Sequence, residues 1–282
     1  MSHSGYQLLD SGDSRKLEKF GEWVLDRPAS QAIWPKKKEP AFWKKADGKF
    51  IRVNEKEGKW QYFSRVPEKW IIEIDGIQLK ISPTPFGHLG IFPEHLFTWS
   101  WLKDSIVCHP QKTPKVLNLF AYSGSVTMAS CKAGAHSVHL DASKPMVQWA
   151  KENAILNQFP QNKITWMLED VSKYTKREVR REHLYQGIIL DPPTFGRGPK
   201  KEIFKFEIDL IPMVENCIKL LDPNKGFLMI SCHTPGVGPQ CLINLLRSLL
   251  DKEPQKLEAG EMKSSGPNHC DLPCGVFVRV NL

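Results

Sequence analysis

Long apolar runs, paired cysteines, glycine-rich dinucleotide loops and low-complexity tracts are all missing from this sequence. No apolar run reaches the ~18 residues that a bilayer-spanning helix requires, so no membrane segment is expected. The opening residues Met1–Tyr6 carry no basic stretch followed by an apolar core, so no secretory signal is read there and the cytoplasm is the expected location. The seven cysteines (Cys108, Cys131, Cys217, Cys232, Cys241, Cys270 and Cys274) are odd in number, and none stands in a Cys-x-x-Cys spacing. Cys270 and Cys274 have only His269 nearby, and a zinc site would need a second ligand pair. Buried, reduced thiols and no metal are therefore expected. No Gly-x-Gly-x-x-Gly follows the first strand of the alternating region, which speaks against a nicotinamide dehydrogenase.

What is present is an ordinary globular composition with a basic surplus. The 282 residues are 41% hydrophobic and carry a formal net charge of +8. That length accommodates one medium domain and a small one. The charge favours polyanionic partners without specifying a fold. Clusters lie at Lys36-Lys37-Lys38 with Lys44-Lys45, at Lys173, Lys176, Arg177, Arg180 and Arg181, and at Arg197, Lys200, Lys201 and Lys205. Nothing in the sequence sets the oligomeric state.

Two textures divide the chain into expected domains at 1–84 and 85–282. The first is rich in Trp, Lys and short β-like runs; Trp70–Ile74 and Ile77–Ile81 around Asp75-Gly76 predict a β-hairpin. The second alternates. Strands are predicted at Val116–Phe120, Ser137–Asp141, Ile164–Leu168, Gly187–Leu190, Gly226–Ser231 and Gly275–Val280. Helices are predicted at Val126–Ala133, Pro145–Asn157, Val171–His183, Ile208–Leu221 and Pro239–Leu250, with Ser143 an N-cap for the second. Strands alternating with helices mean an α/β domain with a mainly parallel sheet, beside a small, mostly β N-terminal domain.

Ligands bind such sheets beyond the carboxyl ends of the strands, so the residues there are the candidates. The first strand runs into Asn118-Leu119-Phe120-Ala121-Tyr122-Ser123-Gly124, a small-residue loop opening a helix whose free N–H groups can meet a ligand. The second ends in Asp141-Ala142-Ser143, where an acidic side chain suits a ribose diol. The third is followed by Glu169-Asp170, able to accept from an adenine amino group; capping a helix is the alternative for Asp141 and Asp170. The fourth ends in Asp191-Pro192-Pro193-Thr194-Phe195. Two prolines stiffen that turn and remove two donors, leaving the Asp191 and Pro192 carbonyls to accept from a planar N–H, with Phe195 placed to stack on a base. Gly196–Lys201 beyond it has the glycines and charges of a phosphate-contacting lid.

In this order the segments Asn118–Gly124, Asp141–Ser143, Glu169-Asp170 and Asp191–Phe195 resemble class I S-adenosylmethionine (SAM)-dependent methyltransferases. Within them the sequence is similar to the bacterial 23S ribosomal RNA large-subunit methyltransferase group that includes RNA cytosine-5 enzymes. The resemblance covers about 85–282. Phe92 matches that group's Gly-x-Phe-x-Asp-Gln-Arg segment, with Glu94-His95 standing in its polar part. It implies a Rossmann-like sheet with an antiparallel last strand and SAM as cofactor. Phe120, Ala121, Tyr122 and Ser123 would line the methionine end, Asp141 the ribose and Asp170 the adenine edge, with Asp191 near the sulfonium and the target base. The implied activity is methylation of a base in RNA, ribosomal RNA foremost. Methylation of guanine nitrogen, a protein amide or a small molecule, without a covalent intermediate, is the alternative.

The fifth strand ends in Ser231-Cys232-His233-Thr234. Cytosine C5 attacks an electrophile only after a nucleophile adds at C6, and the resembling cytosine-5 enzymes carry a cysteine at this strand end. Cys232 is the candidate nucleophile; a buried small residue at a strand tip is the other reading. His233 could lower the thiol's pKa if its side chain reached it, although neighbouring strand residues point to opposite faces.

Overall fold

The computed structural model describes residues 5–54, 57–198, 202–266 and 270–282. The chain divides into two compact units, Met1–Glu94 with Lys263–Cys274, and His95–Met262 with Gly275–Leu282.

The first unit is mostly β. A five-stranded sheet runs in sequence order through β1 (Tyr6–Gly12), β2 (Arg15–Phe20), β3 (Trp23–Pro28), β4 (Gly48–Arg52) and β5 (Gly58–Tyr62), with a short helix α1 (Pro40–Trp43) between β3 and β4. All neighbours are antiparallel except β3 and β4. The predicted hairpin forms from β6 (Trp70–Ile74) and β7 (Ile77–Ile81). Asp75 and Gly76 both have positive φ (49° and 68°), the two-residue turn that matches the twist of the flanking strands. Charges are buried inside this unit. Glu18 is fully covered and accepts from Tyr6 Oη (3.0 Å) and Arg27 Nε (2.7 Å), while Asp10 accepts from Trp43 Nε1 (2.8 Å).

The second unit opens with helix α2 (Leu96–Val107) and then alternates: β8 (Lys115–Leu119), α3 (Ser125–Lys132), β9 (His136–Asp141), α4 (Lys144–Leu156), β10 (Ile164–Leu168), α5 (Val171–Arg180) and β11 (Gly187–Leu190). A small antiparallel pair, β12 (Phe195–Arg197) and β13 (Ile203–Lys205), precedes α6 (Phe206–Leu220), β14 (Phe227–Cys232), α7 (Pro239–Leu249), β15 (Lys256–Ser264) and β16 (Leu272–Asn281). The seven-stranded sheet has the order β10-β9-β8-β11-β14-β16-β15. β10, β9, β8, β11 and β14 are parallel and β16 runs antiparallel to β14, the Rossmann-like sheet expected.

Burial on both faces explains why these strands read as continuous apolar runs. Leu117, Leu119, Ile188, Leu190, Leu228 and Ile230 join one core with α5, α6 and α7. Gly187 is required by packing, since a Cβ there would stand 2.2 Å from the Phe227 ring. The order reverses between β8 and β11. The crevice outside their carboxyl ends is therefore the place where a ligand fits such a sheet. Among the described residues no helix is long and apolar enough to cross a membrane.

Candidate active site

The loop after β8 is held in an unusual backbone form. Phe120 (φ 55°), Tyr122 (φ 52°) and Gly124 (φ 85°) are all left-handed, a conformation uncommon for residues with a side chain and clustered at functional loops. Gly124 is the N-cap of α3, and a Cβ on it would meet Ala150 Cβ at 2.9 Å. The folded-back loop aims the Tyr122 N–H at Asp141 Oδ2 (2.8 Å), while the Ser143 N–H donates to Oδ1 (2.8 Å). Ser143 is the N-cap residue of α4, as expected, although its side chain makes no capping bond. Burial raises the Asp141 pKa above its ordinary value, against the N–H groups of Ser143, Tyr122 and Ala142, which favour the anion. With the Ala142 N–H also donating, three of the carboxylate's roughly four acceptor directions are used and one is left.

The other residues of this half do different work. Asn118 is buried and donates to Thr127 Oγ1 (2.9 Å), which in turn contacts His139 Nδ1 (2.9 Å), a chain tying β8, α3 and β9 together. Burial pushes His139 down to about 3, so this imidazole is neutral. Ser123 is fully buried, and its carbonyl accepts from Asn153 Nδ2 (2.9 Å). Asp170 caps α5, accepting from the Lys173 N–H (2.9 Å), and Glu169 pairs with Arg177.

Across the switch point, Asp191 directly follows β11 and Pro192 behind it is buried. The Asp191 carboxylate is ringed by side chains. Ser231 Oγ donates to Oδ1, His233 Nε2 lies 3.4 Å from Oδ1, and His95 Nε2 lies 3.3 Å from Oδ2. His95 is the buried N-cap residue of α2. Burial disfavours the charge, but the two imidazoles outweigh it and hold the Asp191 pKa well below the usual carboxylate range. A bond between Thr194 Oγ1 and Thr234 Oγ1 (2.9 Å) fastens the Asp-Pro-Pro-Thr-Phe loop to the loop after β14. Phe195 is 51% exposed, with the Arg197 guanidinium 6.0 Å from its ring centroid. Pro199–Lys201 of the segment read as a lid lie outside the described residues.

Cys232 is only 1% exposed and belongs to the hydrophobic core beside β11. Burial raises its thiol pKa and the charge of Asp191 adds to that, whereas the Thr234 N–H donating to Sγ (3.4 Å) works the other way. His233, read from the sequence as a neighbour for the thiol, turns to Asp191 instead. Sequence reasoning did not place His95 or Ser231 at this carboxylate. The one available signal was their position beside motif segments, at the start of α2 and at the carboxyl end of β14.

A family model described as S-adenosylmethionine-dependent methyltransferase matches residues 43–272. A crystal structure of the SAM-dependent methyltransferase from Agrobacterium tumefaciens superposes with a TM-score of 0.94 at 31% identity, covering 99% of this chain and 91% of that one. The chain is also similar to the ribosomal RNA large subunit methyltransferases K/L of Shewanella frigidimarina (31% identical over 186 residues, 64% of this chain and 25% of that protein) and Pseudoalteromonas atlantica (28% over 212 residues, 74% and 26%). It spans about a quarter of the length of these curated relatives.

Proposed function

Because the chain belongs to the family of S-adenosylmethionine-dependent methyltransferases, with SAM as its cofactor, we propose that it methylates a base in RNA, in the cytoplasm and with ribosomal RNA as the first candidate. The residues fit the cofactor. The Asp141 carboxylate suits a ribose hydroxyl, in a loop whose left-handed residues keep the backbone close. Phe120, Ala121, Tyr122, Ser123 and Gly124 would hold the methionine end. Asp141, Ala142 and Ser143 would hold the ribose, and Glu169 and Asp170 would border the adenine. Asn118 contributes from behind, by fixing the start of this loop through Thr127. Bound there, the cofactor supplies an electrophilic methyl group on a sulfonium.

The chain's own residues then place the acceptor. Pro192 presents a carbonyl without an adjacent Pro193 N–H, so an acceptor N–H finds an acceptor and no competing donor. Exposed Phe195 offers a ring for a flat base, a contact worth ~1–3 kcal/mol. Arg197 beside it offers a charge for phosphate. That juxtaposition of an open aromatic and a guanidinium at the switch-point edge carries the RNA reading, and the names of the Shewanella and Pseudoalteromonas relatives agree with it.

For the atom that is methylated, the buried Cys232 with its raised pKa favours a nitrogen acceptor over attack through a thiolate at cytosine C6. Incubation with tritiated SAM and ribosomal RNA from a strain lacking this protein tests the reading. Label should enter RNA nucleosides. Label confined to protein or to small molecules would replace RNA with the alternative acceptor.

A further inference from the structure

Base methylation calls on the Asp-Pro-Pro-Thr-Phe backbone and Phe195, and gives no role to the two imidazoles on Asp191. We propose that His95, Asp191 and His233 form a binding site for one divalent transition-metal ion of the zinc class. The inference concerns these three side chains and does not depend on RNA being the acceptor.

His95 Nε2 and His233 Nε2 stand 3.3 and 3.4 Å from the two oxygens of one carboxylate. A charge-assisted N–H···O bond settles at about 2.7–2.9 Å. Ligand atoms held about 2.1 Å from a tetrahedral metal are about 3.4 Å from each other, close to the separation of His95 Nε2 from Oδ2, the Asp191 oxygen that Ser231 does not occupy. The two nitrogens and a carboxylate oxygen all lie within 4.8 Å of one another, so one ion reaches all three with a small closing movement. His233 can make that movement, since its side chain is 35% exposed.

The supports have the form of a metal site. His95 is fixed as a buried N-cap residue, and Asp191 is fixed at the end of a central strand. The Ser231 hydroxyl donates to Asp191 Oδ1, the outer bond that orients a ligating carboxylate. The Thr194–Thr234 bond holds the loop bearing His233 against the loop bearing Asp191. Two imidazoles and one carboxylate select zinc, cobalt or nickel over magnesium or calcium, which prefer all-oxygen shells. Three protein ligands leave one position open, the arrangement of catalytic sites and not of closed structural ones. The Asp191 side chain is 24% exposed, so the open position is within reach of an oxygen or nitrogen lone pair of an acceptor set on the adjoining Asp-Pro-Pro loop.

Titration of chelator-stripped full-length protein with zinc chloride by calorimetry, and with cobalt(II) by visible absorption, tests this. The expected result is one ion per chain and a cobalt d–d spectrum of low coordination number. His233→Ala should abolish uptake, and so should His95→Ala if its far-ultraviolet spectrum shows it folded. Ser231→Ala should weaken binding roughly 10–100-fold, as loss of an outer-shell partner does. Cys270→Ser with Cys274→Ser should bind as the parent does. Three results overturn the site: no stoichiometric uptake, uptake that survives His233→Ala, or uptake lost in the cysteine variant. In the first case the cluster is a hydrogen-bonded arrangement that only positions Asp191.

Discussion

The two halves of the crevice each present an aspartate at a strand's end, and they stabilise it by opposite means. Asp141 is met by backbone N–H groups of Tyr122 and Ser143, residues close to it in the fold's own loops. Asp191 is met by the side chains of Ser231, His233 and His95, drawn from two other elements. Burial wins at Asp141, whose pKa rises; the imidazoles win at Asp191, whose pKa falls. A site built on backbone is tied to one shape, which suits a cofactor that never changes. A site built on side chains can be altered one residue at a time.

The two carboxylates are expected to serve different steps. Asp191→Asn keeps the shape and removes the charge. It should lower kcat roughly 10²–10³-fold, the usual cost of losing one preorganised polar group, with SAM affinity by calorimetry little changed. Asp141→Ala should do the reverse. Two backbone N–H groups lose their acceptor and the ribose loses its own, a loss of about 2–3 kcal/mol seen in the SAM Kd, with kcat at saturating cofactor largely kept. If both substitutions moved the same constant, the division into halves would be wrong.

Phe195→Ala comes next, at ~1–3 kcal/mol, read as a higher KM for RNA with cofactor affinity unchanged. A pH series gives a smaller effect. Because the Asp141 pKa is raised, its carboxylate protonates earlier than an ordinary aspartate as the solution is acidified. A protonated carboxyl loses one acceptor site and its charge. SAM affinity should therefore begin to fall, on acidification, before the range in which an ordinary aspartate protonates. Asp141→Asn should bind more weakly throughout and lose this dependence.

The same contrast explains what could be seen in the sequence. The parallel strands announce themselves as apolar runs such as Gly187–Leu190 and Phe227–Cys232, because helices cover both faces. β15, with the sequence Lys-Leu-Glu-Ala-Gly-Glu-Met-Lys-Ser, has no β-branched or aromatic residue and was not read as a strand. β1–β3 were missed for another reason. Asp10, Glu18, Asp26 and Arg27 are buried with polar partners (Glu18 with Arg27, Asp26 with Arg15, Asp10 with the Trp43 indole), so charges occupy positions where the alternating pattern would demand apolar residues. In the crevice, loops whose function lies in backbone shape were legible from Ser-Gly, Asp-Pro-Pro and their order. His95 and His233 were not, because only the folded sheet brings the start of α2 and the end of β14 to Asp191.

Cys232 gives the smallest expected effect and the finest test of the acceptor half. Its side chain lies in the core next to β11, so Cys232→Ala removes one buried sulfur and should cost on the order of 1 kcal/mol, read as a modest fall in Tm. A thiol held above its ordinary pKa beside an aspartate anion is a poor nucleophile, because the thiolate and not the thiol attacks. Turnover on RNA should therefore survive the substitution, and the methylated nucleoside identified by mass spectrometry should carry its new methyl on nitrogen. Lost turnover with intact SAM affinity would reverse this. It would mean that RNA binding opens the strand tip and that the thiol adds to the base, and the wild type should then form a covalent complex with RNA that Cys232→Ala does not.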